Sequence, residues 1–176
     1  MNNKIRQEET KDYDIVFNLV EKAFETEELS DHREQFLVER LRQSDSFIPE
    51  LSLVYEWDGK IVGYILFTTV DIIGSNTTYQ ALALAPVAVL PEFQGKGIGG
   101  ALIEEGHRRA RNLGYKSVVL LGHASYYPKF GYVPMKSYNI RLPFDVPDEY
   151  CMACELVPDG LKGVEGTVKY SSVFVE

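Results

Sequence analysis

A chain of 176 residues with 45% hydrophobic and 12% aromatic side chains can bury one self-sufficient core, which excludes a disordered polypeptide. A net charge of −8 argues against nucleic acid, whose phosphates demand a dense basic face, and 2 cysteines are too few for a disulfide framework. The opening MNNKIRQEET has no apolar segment behind its charges and the run ALALAPVAVL is too short to cross a bilayer, so the expectation is a cytoplasmic protein with no membrane partner, one domain over 1–176.

Residues 4–8 read as a short edge strand, after which Thr10 or Asp12 caps a helix with Ile15, Val16, Leu19, Val20, Ala23 and Phe24 on its inner face. A second helix is expected over about 31–43, with Phe36, Leu37 and Leu41 as its apolar positions. LSLVYEW and KIVGYILFTTV flank Asp58-Gly59, a pair suited to the positive φ angles of a two-residue hairpin turn, so 51–57 and 60–70 are expected as antiparallel neighbours. A third strand over 79–90 is interrupted by Pro86; proline removes a ladder donor, so it belongs at an edge, at a bulge or where neighbouring strands part.

That strand runs into VLPEFQGKGIGGALIEEG, where Gly95, Lys96, Gly97, Ile98, Gly99 and Gly100 follow one another. A helix over about 97–113 is expected from there, with Ile98, Leu102, Gly106, Ala110 and Leu113 inward and Gly114 just past its end. KSVVLL, 116–121, has the unbroken apolar character of a buried strand parallel to the one before the helix, which makes a right-handed crossover. SYYPKFGY then forms a short helix or turn ending at Gly131, and 132–142, 150–157 and 166–174 read as further strands. The fold class is mixed α/β.

A strand entering a glycine-rich turn and then a helix gathers several backbone N–H groups at a helix N-terminus, where their partial positive charge holds an anion such as pyrophosphate, and Lys96 adds a full charge. The turn is not a P-loop, since the Gly-x4-Gly-Lys-Ser/Thr order is absent. Gly95, Gly97 and Gly100 do fit Gly-x-Gly-x-x-Gly, but the turn sits mid-chain after antiparallel strands and no carboxylate ends the next strand, which ranks a dinucleotide low.

Gln94-Gly95-Lys96-Gly97-Ile98-Gly99 resembles the Gln/Arg-x-x-Gly-x-Gly/Ala pyrophosphate motif of the GNAT superfamily of N-acetyltransferases. With LGHASYYPKFGY it looks most like the YhbS-like branch of predicted acetyltransferases, over nearly the whole chain. The resemblance implies the GNAT fold, a mostly antiparallel twisted sheet of about 6–7 strands flanked by about 4 helices. It implies acetyl-CoA as cosubstrate and no metal. Val87, Ala88 and Val89 would pair with the pantetheine arm, and Gln94, Gly95, Lys96, Gly97, Ile98, Gly99 and Gly100 would hold the pyrophosphate. It also implies Tyr127, four residues before Gly131-Tyr132, as the acid that protonates the departing CoA thiolate, with Tyr126 pointing elsewhere.

Where many relatives carry Asn this chain reads Gly122-His123-Ala124-Ser125, and strands 79–90 and 116–121 contain no Asp or Glu, which leaves His123 or water as the base. The activity implied is direct acetyl transfer to a primary amine of a small molecule or peptide, the alternatives being a non-catalytic acyl-CoA-binding module and a nucleotide-binding protein. Cys151 and Cys154 read as structural, since an odd separation on a strand sends them to opposite faces. Arg108, Arg109 and Arg111 read as a solvated face, and 140–176 is where a homodimer contact would lie.

Overall fold

Residues 2–175 are described by a computed structural model. Strands β1 (Asn3–Gln7), β2 (Phe47–Trp57), β3 (Lys60–Ile73) and β4 (Thr78–Val89) form an antiparallel meander, because each is joined to the next by a turn or by the helical excursion α1 (Tyr13–Ala23) and α2 (Glu34–Arg42). The β2–β3 turn is the expected one: Asp58 and Gly59 both take positive φ, 48° and 84°. Helix α3 (Ile98–Asn112) then crosses to β5 (Ser117–Leu121), which lies parallel to β4. The chain ends with β6 (Val133–Pro134), β7 (Ile140–Arg141), β8 (Cys151–Glu155) and β9 (Gly166–Lys169).

The strands make one nine-stranded sheet in the order β1-β2-β3-β4-β5-β8-β6, with β9 on the far end of β3 and β7 beside it. The described residues thus hold nine strands rather than about seven, two of them only two residues long, and three α-helices rather than four. The place of a fourth helix is taken by a 3-10 turn, Tyr127–Phe130, which Pro128 and the left-handed Gly131 (φ 96°) keep short.

The two helical layers lie on opposite faces of the sheet, as adjacent residues of β3 show. A Cβ on Gly63 would stand 2.9 Å from Ile98 and 3.0 Å from Leu102, so α3 presses directly on that position. Its neighbour Tyr64 turns the other way and exchanges a 2.7 Å hydrogen bond with Ser52, whose hydroxyl donates to Glu8 at 2.8 Å. Glu8 in turn pairs with Arg42 of α2 at 2.5 Å with both side chains at least 95% buried. Breaking such a pair from one side strands a charge and costs about 3–5 kcal/mol.

Two inward assignments from the helical periodicity fail, and one apolar position of α2 lies at the surface. Ile15 is 49% exposed, because it borders a hollow between α1 and the β2–β3 turn while Val16, Leu19 and Val20 take the sheet. Phe36 is 38% exposed and packs edge-to-face on Phe17 at 5.3 Å, leaving Val38 and Leu41 as the buried side of α2. Leu113 lies past the last turn of α3 and is 44% exposed. His107 fills the inner stripe of that helix instead, 5% exposed and bonded to the Tyr132 hydroxyl at 2.8 Å.

Candidate active site

The site begins where β4 loses a neighbour. β4 pairs with β5 only at Leu82↔Val118 and Ala83↔Val119, whereas β5 runs on against β8 as far as Leu121↔Cys151. The β3–β4 register slips between Ile65↔Val87 and Phe67↔Leu84, so Ala85 and Pro86 lie in the irregular stretch, and a wedge opens on the β5 side beyond it. Leu90 N–H donates to Val62 O at 2.9 Å; by alternation Ala88 also turns its backbone to β3, while Val87 and Val89 turn theirs to the wedge. The Gln94 amide donates to Val89 O at 3.2 Å, which leaves the Val87 N–H and C=O and the Val89 N–H for a guest. Of the three expected strand residues, two therefore face the opening.

Beyond Leu90 the backbone enters the glycine-rich turn, exposed from Gln94 to Gly97. Gly95 and Gly97 have φ of 79° and 82°, a region costly for a residue with a Cβ, and Gly97 is the N-cap of α3. The next two glycines have a different cause. A Cβ on Gly99 would stand 2.8 Å from the Tyr126 hydroxyl, and one on Gly100 would stand 3.0 Å from Phe130. The turn following β5 thus leans on the start of α3, and a cavity of about 400 Å³ lies between them, lined by Gln94, Gly95, Gly97, Ile98, Tyr126 and Lys129. Lys129 is a cation that the motif did not reveal, its Nζ 4.4 Å from the centre of the Tyr126 ring. Lys96 extends over Trp57 at 5.6 Å.

Tyr127 points away from that cavity, as neighbours on a tight turn must. It lines a second cavity of about 480 Å³ whose wall includes Leu84, Pro86 and Val87 of the wedge. Its ring covers Gly122, where a Cβ would meet it at 2.4 Å, and stands edge-on to Tyr132 at 5.7 Å. Burial pushes the Tyr127 hydroxyl well above the ordinary phenol range, with the charges of Tyr126 and Glu27 adding to the shift. It therefore stays protonated at neutral pH, as a proton donor must.

His123 lines the same cavity, and its Nε2 bonds Glu27 Oε1 at 2.9 Å. This carboxylate comes from the α1–α2 connection, 96 residues away in sequence and off the central strands. The His123 ring, followed by desolvation and the Leu29 N–H, shifts Glu27, and the net effect is to hold its carboxyl below the usual range. With Nε2–H donating to Glu27, a neutral His123 keeps Nδ1 as an acceptor.

Other singled-out residues lie apart. Cys151 and Cys154 are free and buried in the two separate apolar clusters on either side of β8, as their spacing implied. Arg108 and Arg109 pair with Glu105 at 2.7 and 2.8 Å, and Arg111 donates to Leu156 O at 3.4 Å. The hollow beside Ile15 is larger, about 700 Å³, but it holds neither the wedge nor the turn, and Arg6 on its wall is engaged by Asp12 and Glu56. No cluster of metal-ligating side chains occurs among the described residues, and no helix there is long and apolar enough to cross a membrane.

The chain belongs to the GNAT family of acetyltransferases: residues 4–135 match its acetyltransferase (GNAT) domain. It is 40% identical over 129 residues to YjhQ of Escherichia coli K12, named an uncharacterized N-acetyltransferase, across 72% of this chain and 70% of that one. YhbS of the same organism, named likewise, is 30% identical over 156 residues, 89% of each chain. The crystal structure of Escherichia coli YhbS in complex with CoA superposes with a TM-score of 0.89 at 28% identity, over 100% of this chain and 93% of that one. A GNAT family acetyltransferase from Brucella melitensis in complex with acetyl-CoA does so with a TM-score of 0.80 at 32% identity, over 98% of each. The YhbS-like GNAT resemblance read from two motifs is thus the family and fold of the chain.

Proposed function

We propose that residues 1–176 form one cytoplasmic acetyltransferase domain that moves an acetyl group from acetyl-CoA to a primary amine by direct attack in a ternary complex. The observation that carries this reading is the unpaired edge of β4 at Val87 and Val89, which runs straight into the Gly95–Gly97 turn and is faced by Tyr127. The fit to the cosubstrate is chemical: an open strand edge suits the amide-bearing pantetheine arm, and convergent N–H groups with Lys96 and Lys129 nearby suit the diphosphate. The relatives crystallised with CoA and acetyl-CoA support the same assignment.

Acetyl-CoA supplies the acetyl group as a thioester. The amine forms a C–N bond to the carbonyl carbon, the C–S bond breaks, and the electron pair leaves with sulfur. Starting from an ammonium ion, two protons leave nitrogen; one ends on sulfur and the other in water. Tyr127 delivers the proton to sulfur, and His123, oriented by Glu27, accepts a proton from nitrogen. Backbone N–H groups of the wedge oppose the negative charge that builds on the carbonyl oxygen. No acyl-enzyme is required, since neither free cysteine lines the cavity.

The test is calorimetric titration of the protein with CoA and acetyl-CoA, repeated on Gly97→Trp. Loss of binding in the variant is the expected result. A folded wild-type protein that binds neither ligand would end the acetyltransferase reading, whereas binding without release of CoA in a broad amine panel would leave a binding module.

A further inference from the structure

The direction of the Tyr127 hydroxyl is set by packing. That hydroxyl makes no hydrogen bond among the described residues, so its aim into the cavity depends on what presses on its ring. Gly122 lies behind the ring with no room for a Cβ, and the rings of Tyr126 and Tyr132 stand edge-on to it at 5.1 and 5.7 Å. Gly122 and Tyr126 belong to the same partly exposed turn as Tyr127, so a movement of that turn carries them along.

Tyr132 is anchored outside the turn. It is 1% exposed, and its hydroxyl shares a 2.8 Å hydrogen bond with Nε2 of His107 on α3. His107 is fixed in turn: its ring stands edge-on to Phe67 of β3 at 6.1 Å, and the preceding Gly106 leaves no space for a Cβ against that same phenylalanine. Desolvation pushes the His107 imidazole down to about 4, so at neutral pH the bond joins two uncharged groups. Neither partner can rotate without leaving a buried donor or acceptor unpaired. A rigid path therefore runs from the β3–α3 packing through His107 and Tyr132 to the ring of Tyr127.

We infer that Tyr132, locked by His107, is a positioning residue that aims the Tyr127 hydroxyl at the wedge. This rests on the reading of Tyr127 as the acid. Neither Tyr132 nor His107 lines the cavity, and no proton passes through them.

The experiment compares wild type with Tyr132→Phe, His107→Gln and the double variant Tyr132→Phe/His107→Leu. Phe keeps the ring, Gln keeps an uncharged hydrogen-bonding group near the Nε2 position, and the double variant strands no polar group, so thermal melts should show it more stable than Tyr132→Phe. The Tyr127 line is followed by 13C NMR of protein labelled at tyrosine Cζ, assigned by its loss in Tyr127→Phe, and CoA release is measured with n-hexylamine as the probe amine. One narrow Tyr127 line is expected in wild type and His107→Gln. In Tyr132→Phe and the double variant the line should broaden or double, with kcat about tenfold lower and the KM for acetyl-CoA unchanged. On a Tyr127→Phe background Tyr132→Phe should cause no further fall in kcat. An undisturbed line in the double variant, a kcat that recovers there together with stability, or an equal loss on the Tyr127→Phe background would each overturn the inference. If n-hexylamine is not turned over, the Tyr127 line alone decides. An unaltered kcat in Tyr127→Phe itself would end the reading of Tyr127 as the acid, and this inference with it.

Discussion

The two cavities beside the β4 wedge are built in opposite ways. The glycine-turn cavity is assembled from one stretch, Val89 to Gly100, closed by Tyr126, Lys129 and Phe130. The Tyr127 cavity draws on the α1–α2 connection, the wedge, the end of β5 and the chain from Phe144 to Phe174. One is shaped by backbone dihedrals, the other by side chains that meet only when the sheet has closed. Adjacent tyrosines link them, Tyr126 facing the turn and Tyr127 the second cavity, and the His107–Tyr132 bond ties that linking segment to α3.

If the division holds, damage on one side should leave the other intact. Tyr127→Phe removes the proposed acid but keeps the ring over Gly122, so kcat is expected to fall by about 10²–10⁴-fold with CoA affinity unchanged. Steady-state kinetics with parallel CoA titration decide this, and an unaltered kcat would remove Tyr127 from the chemistry.

His107 tests the joint between the two regions. Desolvation, with the Arg111 charge behind it, pushes its imidazole down from 6.5 to about 4. Between those values the unfolded chain binds a proton that the folded protein does not, so stability is lost as pH falls through that window and changes no further from this source below it. The full loss is about 3 kcal/mol at most. Urea melts from pH 7 to pH 4 should show this slope, and His107→Gln should flatten it; an equal slope in the variant would place the titration elsewhere.

Gly99→Val addresses the turn alone. The new side chain must displace the Tyr126 hydroxyl, and overpacking of about 1–3 kcal/mol corresponds to a loss of CoA affinity of roughly 5- to 140-fold. At saturating acetyl-CoA the variant should approach the wild-type kcat; a collapse of kcat would mean that the two tyrosines move together. Glu27→Gln is the mildest change, since it leaves His123 a weaker partner in a partly exposed bond. A fall in kcat/KM of about three- to tenfold is expected, and no fall when the same change is made on a His123→Ala background. Additive losses would show that Glu27 acts independently of the histidine.

Local chemistry was legible in the amino-acid sequence. Asp58-Gly59, Pro86, Gly97 and Gly114 each answer a dihedral or donor requirement of their own few residues, so they announce the hairpin, the wedge, the glycine-rich turn and the end of α3. The β4-α3-β5 crossover follows from the same stretch. Periodicity was less secure at the margins: Ile15, Phe36 and Leu113 sit at the edge of their stripes, where neighbouring elements decide whether a side chain is covered. His107 was missed because a histidine reads as polar until a tyrosine hydroxyl is found beside it.

What only the tertiary structure decided is the cavity beside Tyr127. Glu27 stands on a charged surface segment with no distinguishing pattern, and it gains meaning from its contact with His123, 96 residues further along the chain. Even the second pair of glycines in the motif, Gly99 and Gly100, owes its smallness to Tyr126 and Phe130 rather than to its own backbone. Dihedral preference and chain spacing act within a few residues and are written in the sequence itself, whereas the environment of a side chain depends on which distant segments the packed sheet brings to it.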